Sequence, residues 1–216
     1  MEASQLDYIV VEGPIGVGKT SLVKRLAQSF GSEALLEQPA DNPFLERFYR
    51  APRQYALSTQ LSYLFQRVKQ IEQLKQGDMF HPGCVADFML EKDSLFARIN
   101  LDDDELRLYD QVYDSLSLDL PVPDLVVYLQ APVSALQERV RKRGIDYERY
   151  MERDYLEKLH DAYAQFFYQY SNAPLLIVNT AEVNFVGSDN DYNMLLDHLA
   201  GLGQGRHFFN PVSSDS

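Results

Sequence analysis

Eight consecutive residues, Gly13-Pro14-Ile15-Gly16-Val17-Gly18-Lys19-Thr20, follow the pattern G-x-x-x-x-G-K-[ST] and constrain the fold more than any other stretch. Glycines let the backbone curl with successive N–H groups pointing inward, a shape that suits a chain of phosphates. A helix opening at Thr20 adds the favourable end of its dipole. In such a loop Lys19 reaches the β- and γ-phosphates of a nucleotide, and the Thr20 hydroxyl ligates Mg²⁺. The flanks agree. Tyr8-Ile-Val-Val reads as a strand buried on both faces, and Leu22, Val23, Leu26, Ala27 and Phe30 recur on one face of a helix that stops near Gly31.

Downstream, strand and helix patterns alternate. Ala34 to Glu37, Cys84 to Phe88, Pro123 to Gln130 and Pro174 to Val178 read as further strands. A long helix is predicted from about Arg53 to Gln76, ended by Gly77, and shorter ones at 92–98, 103–118, 133–143, 153–170 and 192–199. The expected fold is therefore α/β: a three-layer α/β/α nucleoside-triphosphate-dependent P-loop kinase fold, with a five-stranded parallel sheet and an Arg-rich lid. No linker divides the chain, so residues 1–200 are expected to form one domain, with 201–216 as a flexible tail.

A formal charge of −12 argues against a nucleic-acid polymer as partner, because phosphate backbones are held mainly by Lys and Arg. Cys84 is the sole cysteine, which excludes an internal disulfide and makes a thiolate zinc site implausible. Met1 to Asp7 lacks the marks of a signal peptide and no apolar run reaches membrane-spanning length, so a cytoplasmic location is expected.

ATP hydrolysis, GTP switching and phosphotransfer all use such a loop. The chain has no Asn-Lys-x-Asp motif to read guanine, which disfavours a GTP switch. Arg139, Arg141, Lys142, Arg143 and Arg149 cluster around Gly144, as in a lid that closes guanidiniums over transferring phosphates.

Together with Glu37, the spaced trio Tyr49, Gln60 and Arg67, and the run Arg139 to Glu148 followed by Tyr155 to His160, these features resemble the deoxynucleoside kinase family. The likeness runs from about Tyr8 to Leu199 and is greatest to its bacterial purine-deoxynucleoside (deoxyadenosine or deoxyguanosine) branch. It implies ATP-dependent 5′-phosphorylation of a deoxynucleoside, deoxyadenosine foremost, in nucleotide salvage, with ATP and Mg²⁺ as cofactors and a homodimer as the assembly. By the resemblance Glu37 is the base that takes the 5′-hydroxyl proton, a task that suits a carboxylate at the C-terminal end of a strand. Lys19, Arg139 and Arg143 act on the transferring phosphate, and Arg143 and Phe185 join the loop in holding ATP. Tyr49 and Glu148 grip the sugar 3′-hydroxyl, and Gln60 pairs with the base edge. Two jobs are open to Arg67: meeting a base carbonyl or holding a neighbouring carboxylate. Asp87 serves Mg²⁺ with Thr20. Phe44, Phe48, Tyr63, Phe88 and Phe96 are candidates to flank the base.

The chain departs from the family pattern twice. Animal members follow the acidic residue after the third strand with Arg; here the pair is Asp87-Phe88, and Lys92 is the nearest substitute, with Asp93 beside it facing the base. A third lid arginine is replaced by Ile145, for which Arg149 or Arg141 is expected to compensate. A thymidylate-type monophosphate kinase remains an alternative, though it would have no need of Glu37 as base. A kinase fold that binds nucleotide without turnover is another.

Overall fold

The computed structural model describes residues 6–76, 83–116 and 120–211, with the side chains of residues 75 and 76 excepted. The expected stops at Gly77 and Leu118 lie outside the described residues. Strand β1 (Tyr8–Glu12) runs into the glycine loop and helix α1 (Lys19–Phe30). There follow β2 (Glu33–Leu35), α2 (Leu45–Arg50), α3 (Pro52–Gln76), β3 (Cys84–Ala86), α4 (Glu91–Asn100) and α5 (Asp103–Ser115). The second half holds β4 (Leu125–Gln130), α6 (Val133–Arg143), α7 (Arg153–Gln169), β5 (Leu175–Asn179), α8 (Asp189–Ala200) and β6 (Arg206–Phe209). Short 3-10 turns at Pro39–Asp41 and Asp146–Tyr150 border the lid and the segment after β2.

All strands are parallel, in the order β2-β3-β1-β4-β5-β6. Strand alternation sorts side chains to two faces. Ile9 and Val11 of β1, with Val127 and Leu129 of β4, meet Leu22 and Leu26 of α1 and Leu195 of α8. Val10 and Val126 point the other way, onto Leu95 of α4 and Leu159, Tyr163 and Phe167 of α7. A third cluster joins Leu64, Val68 and Ile71 of α3 to Phe88 and Tyr109, and so carries α3 beside the sheet.

The sheet has six strands, a correction to the expected five. The sixth lies within the expected tail, where Gly- and Ser-rich sequence hid it. Arg206 anchors this segment by donating to the carbonyls of Phe167, Tyr168 and Tyr170 at the end of α7, at 3.0, 2.8 and 3.2 Å. A cation there satisfies carbonyls that a helix end leaves unpaired. Leu202 and Phe209 pack against the first core, so the chain is tied down on both sides of the strand.

Candidate active site

Strand ends at one edge of the sheet open into a cavity of about 610 Å³, running from the glycine loop at one end to Gln60 and Phe96 at the other. A second cavity, lined by Gly18, Arg139, Thr180 and Phe185, adjoins the loop on its far side. The loop's path requires glycine. At Gly13, with φ +149°, an added Cβ would sit 2.5 Å from the Leu129 carbonyl oxygen; at Gly16, with φ +85°, one would sit 2.9 Å from that of Leu136. Lys19 lies folded over the loop, its Nζ donating to the Gly13 carbonyl at 2.7 Å. Burial, then the Lys92 ammonium, pull Lys19 down to about 8, partly offset by Glu12, Glu37 and Asp87.

Thr20 and Asp87, expected to share a metal, are brought together: the Thr20 hydroxyl donates to Asp87 Oδ2 at 2.6 Å. The other Asp87 oxygen accepts the Glu37 backbone N–H at 2.7 Å, which fixes the segment after β2. Among the described residues no group of three or more His, Cys, Asp or Glu side chains is placed to hold a metal. A hydroxyl beside a carboxylate nonetheless fits Mg²⁺, which takes few protein ligands and completes its shell with phosphate oxygens and water.

Glu37 stands at the middle of the cavity with its Oε1 between two cations. Arg67 donates to it through Nε at 2.8 Å and through Nη2, and Lys92 Nζ lies at 3.4 Å. Burial alone pushes the Glu37 carboxyl up, but Arg67 and Lys92 outweigh burial and hold it at about 2. Of the two jobs open to Arg67, the holding of carboxylates is the one visible in the geometry: Arg67 bridges Glu37 and Asp93, with Nη1 on Asp93 Oδ2. Gln60, seven residues earlier on the same face of α3, turns its amide nitrogen to the Asp93 carbonyl at 3.1 Å and to the Asp93 carboxylate. Tyr109 of α5 donates to the same carboxylate at 3.1 Å. Lys92 is buried despite its charge, and its second partner is Glu12 Oε1 at 3.2 Å.

Nearer the lid, Tyr49 stacks on Tyr147 with ring centroids 5.6 Å apart, and both line the cavity with Glu148. Burial, reinforced by Tyr155, Tyr63 and Glu148, pushes the Tyr49 phenol well up, so it stays protonated and able to donate. Glu148 is gripped by Arg143, whose Nε donates at 3.1 Å. Arg139 donates to the Thr180 carbonyl at 2.6 Å and to the Thr180 hydroxyl at 3.0 Å, and with Arg143 it borders both cavities.

Some expectations fall away. Neither Arg141 nor Arg149 lines the first cavity beside Ile145. Arg141 is exposed, and Arg149 lies over the Tyr150 ring and donates to its hydroxyl at 2.9 Å. Phe48, Tyr63 and Phe96 do border the first cavity. Phe88 is instead fully buried in the α3 cluster, and Phe44 borders a shallow groove on the outer side of α3. Sequence reading also missed residues that the fold brings in. Glu12 is fully buried at the base of the loop, Thr180 receives Arg139, and Tyr147 stacks on Tyr49. Only Glu12 carried a signal: a charged residue closing an apolar strand run just before Gly13.

Comparison with known proteins places this geometry among relatives. The family model described as deoxynucleoside kinase matches residues 9–202. The deoxyguanosine kinase of Bacillus subtilis is 33% identical over 204 residues, covering 90% of this chain and 97% of that protein. The deoxyadenosine kinase of Lactobacillus acidophilus is 27% identical over 208 residues, covering 90% and 95%. Among solved structures, deoxyadenosine kinase from M. mycoides with the products dCMP and a flexible dCDP bound has the same fold. It superposes with a TM-score of 0.79 at 24% identity, covering 90% of this chain and all of that one.

Proposed function

The chain belongs to the deoxynucleoside kinase family, phosphotransferases acting on a hydroxyl group, and on that premise we propose that it transfers the γ-phosphate of ATP to the 5′-hydroxyl of a purine 2′-deoxynucleoside, with deoxyadenosine preferred. The observation that carries this reading is Glu37 in the middle of one cavity, with the glycine loop on one side and Gln60, Tyr49 and Glu148 on the other. When bound, ATP and Mg²⁺ supply the electrophilic phosphorus and neutralise charge on its oxygens.

The chain's own residues then divide the work. Backbone N–H groups of Ile15, Gly16 and Gly18, with Lys19, hold the phosphates; Thr20 and Asp87 supply the metal's protein oxygens. Glu37 accepts the 5′-hydroxyl proton. A carboxylate held near 2 is a weak base, yet in a loose transition state the attacking oxygen keeps its proton until late. Its orientation by Arg67 and Lys92 therefore matters more than its basicity. Tyr49 and Glu148 meet the 3′-hydroxyl and crowd the 2′ position. Arg139 and Arg143 close over the transferring phosphate, with Phe185 against the ATP base.

The relatives divide between deoxyguanosine and deoxyadenosine kinases, so the choice of base rests on Gln60. Its nitrogen faces Asp93, and among the described residues no donor reaches its Oε1, which is left as an acceptor. The 6-amino group of adenine is a donor; guanine carries an oxygen there. The chain acts in this reading as one catalytic domain in the cytoplasm, strand β6 included, and no described helix is long and apolar enough to cross a membrane. Pairing as a homodimer draws on α3, where Phe65 is 52% exposed.

ADP release measured with all four deoxynucleosides, their ribose counterparts and the monophosphates tests the proposal. Deoxyadenosine should give the highest kcat/KM, with ribosides weak and monophosphates inert. Turnover on monophosphates instead would make it a thymidylate-type kinase, and no turnover on any acceptor would make it a binding protein.

A further inference from the structure

Glu12 is 0% exposed, and its two oxygens are met from four directions. Oε2 accepts the Gly13 N–H at 3.0 Å and the Tyr163 hydroxyl at 3.1 Å. Oε1 accepts the Met89 N–H at 3.0 Å and faces Lys92 Nζ at 3.2 Å. A single carboxylate thus ties the first residue of the phosphate loop to the segment after β3, to α4 and to α7.

Stability alone does not call for this arrangement. Exchanging a buried ion pair for packed apolar side chains is often neutral or stabilising, whereas a buried charge that loses its partner is costly. The Lys92 ammonium is itself shared, with Glu12 on one side and Glu37 on the other. From there the alternation continues through Arg67 to Asp93, so the position of each cation depends on the carboxylates flanking it. We propose that Glu12 is a positioning residue: its carboxylate holds the Lys92 ammonium at the floor of the phosphate loop, so that Lys92 stays shared between two carboxylates and orients Glu37 without closing on it fully, leaving Glu37 able to turn to the acceptor hydroxyl. The proposal rests on the reading of Glu37 as the proton acceptor.

Glu12→Gln keeps the shape and removes the charge. Without it Lys92 has a single carboxylate partner and closes on Glu37. The kcat should fall about 10- to 30-fold while KM for ATP and for deoxyadenosine stays within about twofold, the pattern of an interaction that matters only in the transition state. The decisive measurement is the cycle with Lys92→Met. If Glu12 acts through Lys92, adding Glu12→Gln to Lys92→Met should cost less than about twofold more in kcat. Additive losses overturn the proposal, since Glu12 would then support the loop through Gly13 alone.

Should Glu12→Gln fail to fold, Tyr163→Phe carries the test. It deletes one donor to Glu12 and keeps the ring, which stacks on Tyr128 at 6.2 Å. The freed Oε2 loosens the hold on Lys92, so kcat should drop about threefold with both KM values unchanged. A lowered Tm with an unchanged kcat would make Glu12 a purely structural group and overturn the proposal. Glu37→Gln is assayed alongside. A normal rate there removes the base itself, whereas a slow Glu37→Gln together with an additive Glu12–Lys92 cycle removes only the role given to Glu12.

Discussion

At the end of the cavity proposed to take the phosphate donor, the polar groups are backbone N–H groups of one short loop, shaped by Gly13, Gly16 and Gly18. At the other end the lining groups are polar and charged side chains drawn from separate elements: Glu37 after β2, Gln60 and Arg67 from α3, Lys92 from α4 and Glu148 from a 3-10 turn, with Asp93 of α4 fully buried behind Gln60 and Arg67 rather than facing the cavity. The first is local in sequence and fixed by covalent geometry. The second holds together only while three carboxylates, Glu12, Glu37 and Asp93, alternate with Lys92 and Arg67. Backbone sites tolerate change around them as long as the turn survives, whereas a buried chain of charges transmits the loss of any one member to its neighbours.

The largest effect should come from the lysine of the glycine loop at the donor end. Lys19→Ala should lower kcat by about 10³-fold or more, because it removes the main cation on the transferring phosphate. The fold should survive, since among the described residues Lys19 Nζ is bonded only to the loop carbonyls of Gly13 and Pro14. A folded Lys19→Ala protein with near-normal kcat would break the assignment of that end to ATP.

Glu37→Gln probes the other end. Its kcat should fall roughly 10²–10⁴-fold with substrate binding little changed, the usual worth of a positioned base. It also has a signature that Lys19→Ala lacks. The folded Glu37 carboxyl lies at about 2, below its ordinary 4.5, so ionised Glu37 stabilises the fold at pH values above about 4.5. That contribution fades as the pH falls from 4.5 towards 2. Denaturant midpoints of the parent should therefore decline in this window, and the gap between parent and Glu37→Gln should narrow. A gap constant across the window would show that Glu37 is not held by Arg67 and Lys92.

This contrast between the ends also explains what the sequence could reveal. The loop, β1, α1 and α6 were legible because their signals are contiguous: glycine spacing, an apolar strand, a helix stripe. Strand β6 was not. Its hold is the long-range contact of Arg206 with the end of α7, which no local pattern announces. Gln60 and Arg67 could be placed on one helix face, but their real partner, Asp93, lies 33 and 26 residues away. Glu12 escaped because a glutamate ending a strand looks solvated until the strands on either side of it are known. Lys92 was named as a substitute for a missing arginine, and its place between two buried carboxylates came only with the structure.

The smallest expected effect lies where the two ends meet, under the lid. Ile145 lines the acceptor cavity at the position where a third lid arginine is usual, and neither Arg141 nor Arg149 reaches that cavity. The two lid arginines that do reach it already have protein partners: Arg143 is held by Glu148, and Arg139 by Thr180 and the Val17 carbonyl. Closing the lid on a phosphate must draw these guanidiniums from existing bonds. An arginine at 145 would bring a cation to the cavity rim. Ile145→Arg should therefore raise kcat by about threefold with little change in the deoxynucleoside KM, because an added cation acts on charge that develops during transfer. Glu148, which lines the same cavity, is already paired with Arg143, which limits the competition the newcomer creates. A flat or lower kcat, read under saturating ATP, would show that Arg139 and Arg143 already satisfy the transferring phosphate, and that the added guanidinium contributes only repulsion between like charges. That result would move the boundary between the two ends: the lid would then belong wholly to the donor side, and Ile145 would be an apolar wall of the acceptor pocket.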